Sequence, residues 1–187
     1  MSTAKTQYRV ICFGDSNTYG FDPRSFLGCR YGPDDRWVDI LKKKSGWEIH
    51  NNSMSGREIP RRETNFPKST DLLLVMLGTN DLLQGNSPEK TATRMENFLN
   101  GVSLKKHKIL IIAPPPLCRG AWVSDQQLID ESRELAQHYR LLADKLGVHF
   151  LDAGEWGVEM AFDGVHLTEA GNRRFADCLW EELSIIF

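Results

Sequence analysis

The six residues Leu72-Leu73-Leu74-Val75-Met76-Leu77 are apolar without a break. A strand with one wet face alternates apolar and polar residues, so an unbroken run of this length belongs to a strand covered on both sides. Ile109-Leu110-Ile111-Ile112 repeats the pattern in the run 109–113, and shorter runs at 9–13, 47–50 and 148–151 complete a set of five. Helix-like segments stand between them. Ser87-Pro88 reads as an N-cap followed by proline at the first helical position. The stretch 124–146 carries Leu128, Leu135, Tyr139, Leu142 and Leu146 at helical spacing. It opens on a capping-box pair, Ser124 and Gln127, and closes at Gly147. A last helix after Thr168 turns Phe175, Leu179, Leu183 and Ile186 inward. Strand–helix alternation of this kind predicts an α/β domain: a three-layer sandwich around a five-stranded parallel sheet with right-handed crossovers.

The 187 residues fit one domain, 1–187, with no internal repeat or low-complexity segment. Charged residues make up 26% and the formal net charge is −2, without a block of like charges, which argues against nucleic acid or an anionic membrane as partner. The first eight residues are polar and lead straight into a strand, so no secretory leader is expected. No apolar run is long enough to cross a bilayer. Cys12, Cys29, Cys118 and Cys178 show no CxxC spacing, and Cys12 and Cys178 fall in core positions, which suits reduced thiols in a cytoplasm.

In open parallel sheets ligands bind beyond the carboxyl ends of the strands. Ser16, Asn80 and Pro114-Pro115-Pro116 all fall just past such ends and so share one rim, with the irregular stretches 22–35 and 59–70 expected to border it. Gly14-Asp15-Ser16-Asn17 follows the first strand, and from Thr18 onward the chain can turn into a helix whose first amides point at the site. Near the other end of the chain stands Asp163-Gly164-Val165-His166. A serine hydroxyl is a weak nucleophile until a base takes its proton, and His166 is the candidate base. Asp163, three residues away, would hold the imidazole in the right tautomer. The oxyanion needs fixed donors, for which the backbone N–H groups of Ser16 and Gly56 and the side-chain amide of Asn80 are the candidates. Taken singly, Gly56 reads as a loop glycine, Asn80 and Asp81 as a turn cap, and Asp163-Gly164 as a turn dipeptide. Their joint occurrence at strand ends favours catalysis.

The other histidines compete poorly. His107 sits in a basic turn, His138 on an amphipathic helix, and His149 at a strand start. His50 ends the second strand with no carboxylate expected beside it. No His, Cys and carboxylate grouping has metal-ligand spacing, so no metal is expected.

The blocks Gly14-Asp15-Ser16, Gly56, Gly78-Thr79-Asn80-Asp81 and Asp163-Gly164-Val165-His166 resemble, in order, the four signature blocks of the SGNH, or GDSL-type, hydrolases. The resemblance spans nearly the whole chain. It implies a flavodoxin-like fold and ester hydrolysis through an acyl-serine, without a cofactor. Cys12-Phe13-Gly14-Asp15-Ser16, Pro33-Asp34-Asp35-Arg36-Trp37, Ala113-Pro114-Pro115-Pro116-Leu117 and Asp152-Ala153-Gly154 are further similar to the branch of bacterial arylesterases and acyltransferases. That branch implies homo-oligomers and, beside hydrolysis, acyl transfer to alcohols. Asn17 departs from the pattern, in which leucine is usual.

The expected substrate is a small-molecule ester with a short acyl group, since Asn17, Gly56 and Asn80 crowd the oxyanion region. Asp15, Asn17, Tyr19, Arg57 and Trp122 are the expected substrate contacts. Tyr19, Phe21, Trp37 and Trp122 offer aromatic surface for an aryl or sugar alcohol, although Trp37 reads better as core. Phe26, Leu27 and Tyr31 are apolar residues expected to be exposed in the loop 22–35 and shared with another subunit. Acetyl-sugar esterase, thioesterase or lysophospholipase activity stays open beside arylesterase. A non-enzymatic flavodoxin-like module holding a phosphate or flavin at Asp15-Ser16-Asn17-Thr18 is the alternative of another class.

Overall fold

The structure is a computed structural model that describes residues 7–25 and 27–187. In chain order the elements are β1 (Arg9–Gly14), α1 (Ser16–Tyr19), α2 (Trp37–Ser45), β2 (Glu48–Ser53), β3 (Leu72–Met76), α3 (Thr79–Leu83), α4 (Pro88–Gly101), β4 (Ile109–Ala113), α5 (Gln126–Leu146), β5 (His149–Asp152) and α6 (Glu169–Ile186). The five strands form one parallel sheet in the order β2-β1-β3-β4-β5. This is the flavodoxin-like order, and its topological switch point lies between β1 and β3.

The unbroken apolar strands are explained by two cores. Alternate residues of β1 and β3 point to opposite faces. Val10, Cys12, Leu72, Leu74 and Met76 pack with Trp37, Leu41, Phe175, Leu179 and Leu183 of α2 and α6. Ile11, Phe13, Leu73, Val75 and Leu77 pack with Met95, Phe98, Leu135, Tyr139 and Leu142 of α4 and α5. Helices on both faces make the three layers.

Several boundaries differ from the sequence expectation. The edge strand β2 runs on to Ser53, because pairing Asn51, Asn52 and Ser53 with Cys12, Phe13 and Gly14 outweighs their low strand propensity. Helix α5 begins at Gln126, with Asp125 Oδ1 accepting from the Gln127 amide at 2.9 Å, so Asp125 and not Ser124 is the cap. Helix α1 starts at Ser16 itself and stops after one turn at Gly20. In the loop 22–35, Leu27 is exposed but Tyr31 is buried, its hydroxyl donating to the Leu167 carbonyl at 3.2 Å. Phe26 lies outside the described residues. In the stretch 59–70, Ile59 is tied to Asp81 just past β3, whereas Pro60, Arg61, Arg62 and Glu63 line a separate cavity with Arg94 and Phe98 of α4.

Candidate active site

Gly14 ends β1 where the chain must turn at once into α1 beside β3. A Cβ there would lie 2.0 Å from Thr18 Oγ1 and 2.9 Å from the Met76 carbonyl, so only glycine allows the turn. Asp15 then caps α1, its Oδ1 accepting from the Asn17 amide at 3.0 Å. The result places the Ser16 hydroxyl at the carboxyl rim of the sheet, beside the switch point.

The partner groups arrive on the segment between β5 and α6. Asp163 Oδ1 accepts from the amides of Val165 at 2.9 Å and His166 at 3.0 Å, which closes a tight turn. Its Oδ2 lies 2.6 Å from His166 Nδ1, and His166 Nε2 lies 2.9 Å from Ser16 Oγ. Burial works to raise the Asp163 pKa, but the hydrogen bonds from the imidazole and the two amides prevail and hold it below the ordinary carboxylate value. A hydroxyl, an imidazole and an ionised carboxylate thus stand in one hydrogen-bonded line. An imidazole so held can accept the hydroxyl proton while the carboxylate stabilises the imidazolium.

A strap, residues 118–123, lies over this turn. Cys118 N donates to the Gly164 carbonyl, Ala121 N to that of Phe162 and Trp122 N to that of Asp163, at 3.0, 2.9 and 3.0 Å. The approach is close: a Cβ on Gly120 would lie 2.4 Å from both Asp163 C and Gly164 N. The strap sets the Trp122 ring edge-on to His166, centroids 5.5 Å apart, while Phe21 packs against the imidazole at 4.7 Å.

A cleft of about 200 Å³ opens over the serine, lined by Ser16, Phe21, Ser55, Gly56, Asn80, Leu83, Trp122, Val165 and His166. Among the described residues no Asp, Glu, Lys or Arg side chain lines it. Of the expected oxyanion donors, Ser16, Gly56 and Asn80 all border this one space. Asn80 Nδ2 gives one hydrogen to the Arg57 carbonyl at 3.1 Å, which orients the amide and leaves its second N–H. Asp81 is no surface cap. It is fully buried, accepts from the Ile59 amide at 3.0 Å and pairs with Arg94 at 2.5 Å, fastening the loop after Gly56 to α3.

Of the five expected substrate contacts, the structure brings only Trp122 to the cleft. Asp15 is buried under α1, and Asn17 turns its side chain inward to the Val165 and Leu167 backbone. The Tyr19 ring is covered by Arg30, whose guanidinium carbon lies 4.3 Å from its centroid. Arg57 stacks on Phe13 at 4.3 Å and donates to the Gly14 and Asn52 carbonyls. Each of these side chains is spent on bracing the loops. With the Asn17 amide taken, the phosphate-loop alternative loses a donor it needed. Trp37 is core, as its sequence position favoured, with Nε1 donating to the Asn17 carbonyl at 3.0 Å. His50 does have a carboxylate neighbour, since Glu48 Oε1 lies 3.2 Å from its Nε2 on the exposed strand edge. The sequence reading missed Ser55, Leu83 and Val165. Leu83 was findable, since it stands three residues after Asn80 and so shares its helix face. Among the described residues no cluster of three or more metal-ligating side chains occurs, and no helix is long and apolar enough to cross a membrane.

Known proteins point the same way. The isoamyl acetate-hydrolyzing esterase 1 homolog of Bos taurus is 26% identical over 200 residues, covering 92% of this chain and 80% of the relative. The crystal structure of a carbohydrate acetylesterase from Sinorhizobium meliloti superposes with a TM-score of 0.78 at 25% identity, covering 98% of this chain and 100% of that one. The aryl esterase of M. smegmatis gives the same TM-score at 28% identity, covering 96% and 100%. The sequence pattern of the GDSL-like Lipase/Acylhydrolase family matches residues 12–174. The chain therefore belongs to the GDSL-like lipase/acylhydrolase family and is a carboxylic ester hydrolase.

Proposed function

We propose that the chain hydrolyses uncharged esters of short acyl groups through an acyl-serine intermediate, with Ser16 as nucleophile, His166 as general base and Asp163 as its orienting carboxylate. The observation that carries this reading is the continuous contact from Asp163 through His166 to Ser16 Oγ, opening on a small cleft that no Asp, Glu, Lys or Arg among the described residues lines. Ser16 Oγ attacks the ester carbonyl carbon as its proton passes to His166 Nε2. The amides of Ser16 and Gly56 and the free N–H of Asn80 receive the charge on the carbonyl oxygen. His166 then protonates the departing alkoxide. Water, or an acceptor alcohol, attacks the acyl-serine by the same route in reverse.

Cleft size supports the short acyl group, for which Leu83 and Val165 supply the apolar wall. Trp122 is 58% exposed and marks the open side, where an aryl or sugar alcohol lies against its ring. The same rim favours self-association, because Leu27, Phe162 and Met54 are also largely exposed.

A series of p-nitrophenyl esters from acetate to palmitate, with acetylated sugars beside them, tests the reading on wild type and Ser16→Ala. Acetate should turn over fastest, and Ser16→Ala should lower kcat by about 10⁴-fold or more. Faster turnover of octanoate than acetate removes the short-acyl assignment. Equal rates in the two proteins remove Ser16.

A further inference from the structure

Asn17 directly follows the proposed nucleophile, yet its side chain reaches 150 residues along the chain. Its Nδ2 donates to the Val165 carbonyl and its Oδ1 accepts from the Leu167 amide, both at 3.0 Å. These are the backbone groups on either side of His166. Asn17 is itself immobilised. Its amide is bound by Asp15 Oδ1, and its carbonyl accepts from Trp37 Nε1. Trp37 N donates to Asn172 Oδ1 at 3.2 Å, and Asn172 Nδ2 donates to the Thr168 carbonyl at 2.9 Å, so the same network holds the segment again two residues past His166. The planar Asn17 amide presents one donor and one acceptor to this pair of backbone groups. Leucine offers neither, and ionised aspartate only acceptors.

Accordingly, we propose that Asn17 is a positioning residue for the reaction: by gripping the backbone before and after His166, it fixes where the imidazole stands relative to Ser16. The inference rests on the roles given above to those two residues. Ser16 and Asn17 are adjacent, so one short helical turn carries both the hydroxyl and the grip on its base. Rotation or drift of the His166 segment would lengthen the 2.9 Å contact to Ser16 Oγ. A misplacement of about 1 Å is enough to lower turnover by about 10²-fold.

The experiment compares full-length wild type, Asn17→Ala, Asn17→Asp and Ser16→Ala. Reactive serine is titrated with a fluorophosphonate, so that kcat for p-nitrophenyl acetate refers to folded, competent enzyme. The low-field proton resonance of the Asp163–His166 pair is followed in parallel. We expect kcat per titrated serine to fall about 10- to 100-fold in Asn17→Ala, with KM within about threefold and the resonance shifted or broadened. Asn17→Asp, which keeps the acceptor to Leu167 but turns a carboxylate oxygen toward the Val165 carbonyl, should show a loss in the same direction. If Asn17→Ala does not fold, Asn17→Asp decides alone. The proposal is overturned if kcat per titrated serine stays within about twofold of wild type while only the melting temperature drops, because that is the signature of a fold brace. Undiminished turnover by Ser16→Ala would instead remove the assigned nucleophile, and the resonance would then decide the positioning role by itself.

Discussion

Asp15, Asp81 and Asp163 are all buried, and their surroundings pull their proton affinities apart. Asp163 is held low by three hydrogen bonds, from the His166 ring and the Val165 and His166 amides, which overcome its burial. Asp81 is raised by burial, against the opposing pull of the Ile59 amide and Arg94. Asp15 is pushed by burial to about 6, with the Asn17 amide and His166 opposing, and its Oδ2 meets no hydrogen-bond partner. Raised affinity means that the folded state binds the proton more tightly than the unfolded chain. The stability Asp15 contributes is therefore intact below its ordinary value of 3.8 and is lost as pH rises through about 6. Asn at this position keeps the cap on the Asn17 amide and has no charge to desolvate. Asp15→Asn should accordingly gain in denaturant midpoint relative to wild type on going from pH 4 to pH 8. An unchanged difference across that range contradicts the assignment. None of this was visible in the letters Gly-Asp-Ser-Asn. Residue types announce which chemistry is possible, but the direction of a side chain at a strand end depends on what packs beneath it. Asp15 and Asn17, polar neighbours of Ser16, face inward and not toward the cleft.

At the scale of elements, the catalytic turn and the strap above it behave as one unit. Three backbone hydrogen bonds join residues 118–122 to 162–164, and Gly120 permits the contact. A methyl group at residue 120 would meet backbone atoms that cannot swing aside as a side chain tip can. Gly120→Ala should lift the strap, move Trp122 off the His166 edge and lower kcat/KM by about 10-fold or more, following the cost of misplaced groups. Tryptophan emission and ester kinetics measured together check this, and a variant with both unchanged contradicts it. The strap was not legible in advance. Pro114-Pro115-Pro116 marked the end of β4, but no local pattern reveals that the next residues lie along the segment 162–164, far downstream. The strands, by contrast, were readable, because burial on both faces forces a continuous apolar run that few other environments demand.

On the scale of the whole molecule, two cores flank one sheet, and the exposed large apolar side chains that remain include Trp122 at the cleft and Phe162, next to Asp163 in the chain. Light scattering should therefore return a multiple of the monomer mass, and substitution of Phe162 by serine should shift it toward the monomer. A monomer at working concentration in wild type sets self-association aside. Fold class and strand count followed from periodicity, whereas the strand order β2-β1-β3-β4-β5 is a property of the folded sheet. The loop 22–35 was not legible either, since its Tyr31 is drawn inward by a carbonyl of a distant segment. Ser16 and His166, the proposed nucleophile and base, are separated by 150 positions in the chain. A ribosome building this protein thus makes the serine early and the histidine late. On the proposed roles, the nascent polypeptide carries the serine hydroxyl without its base until residue 166 has emerged and docked.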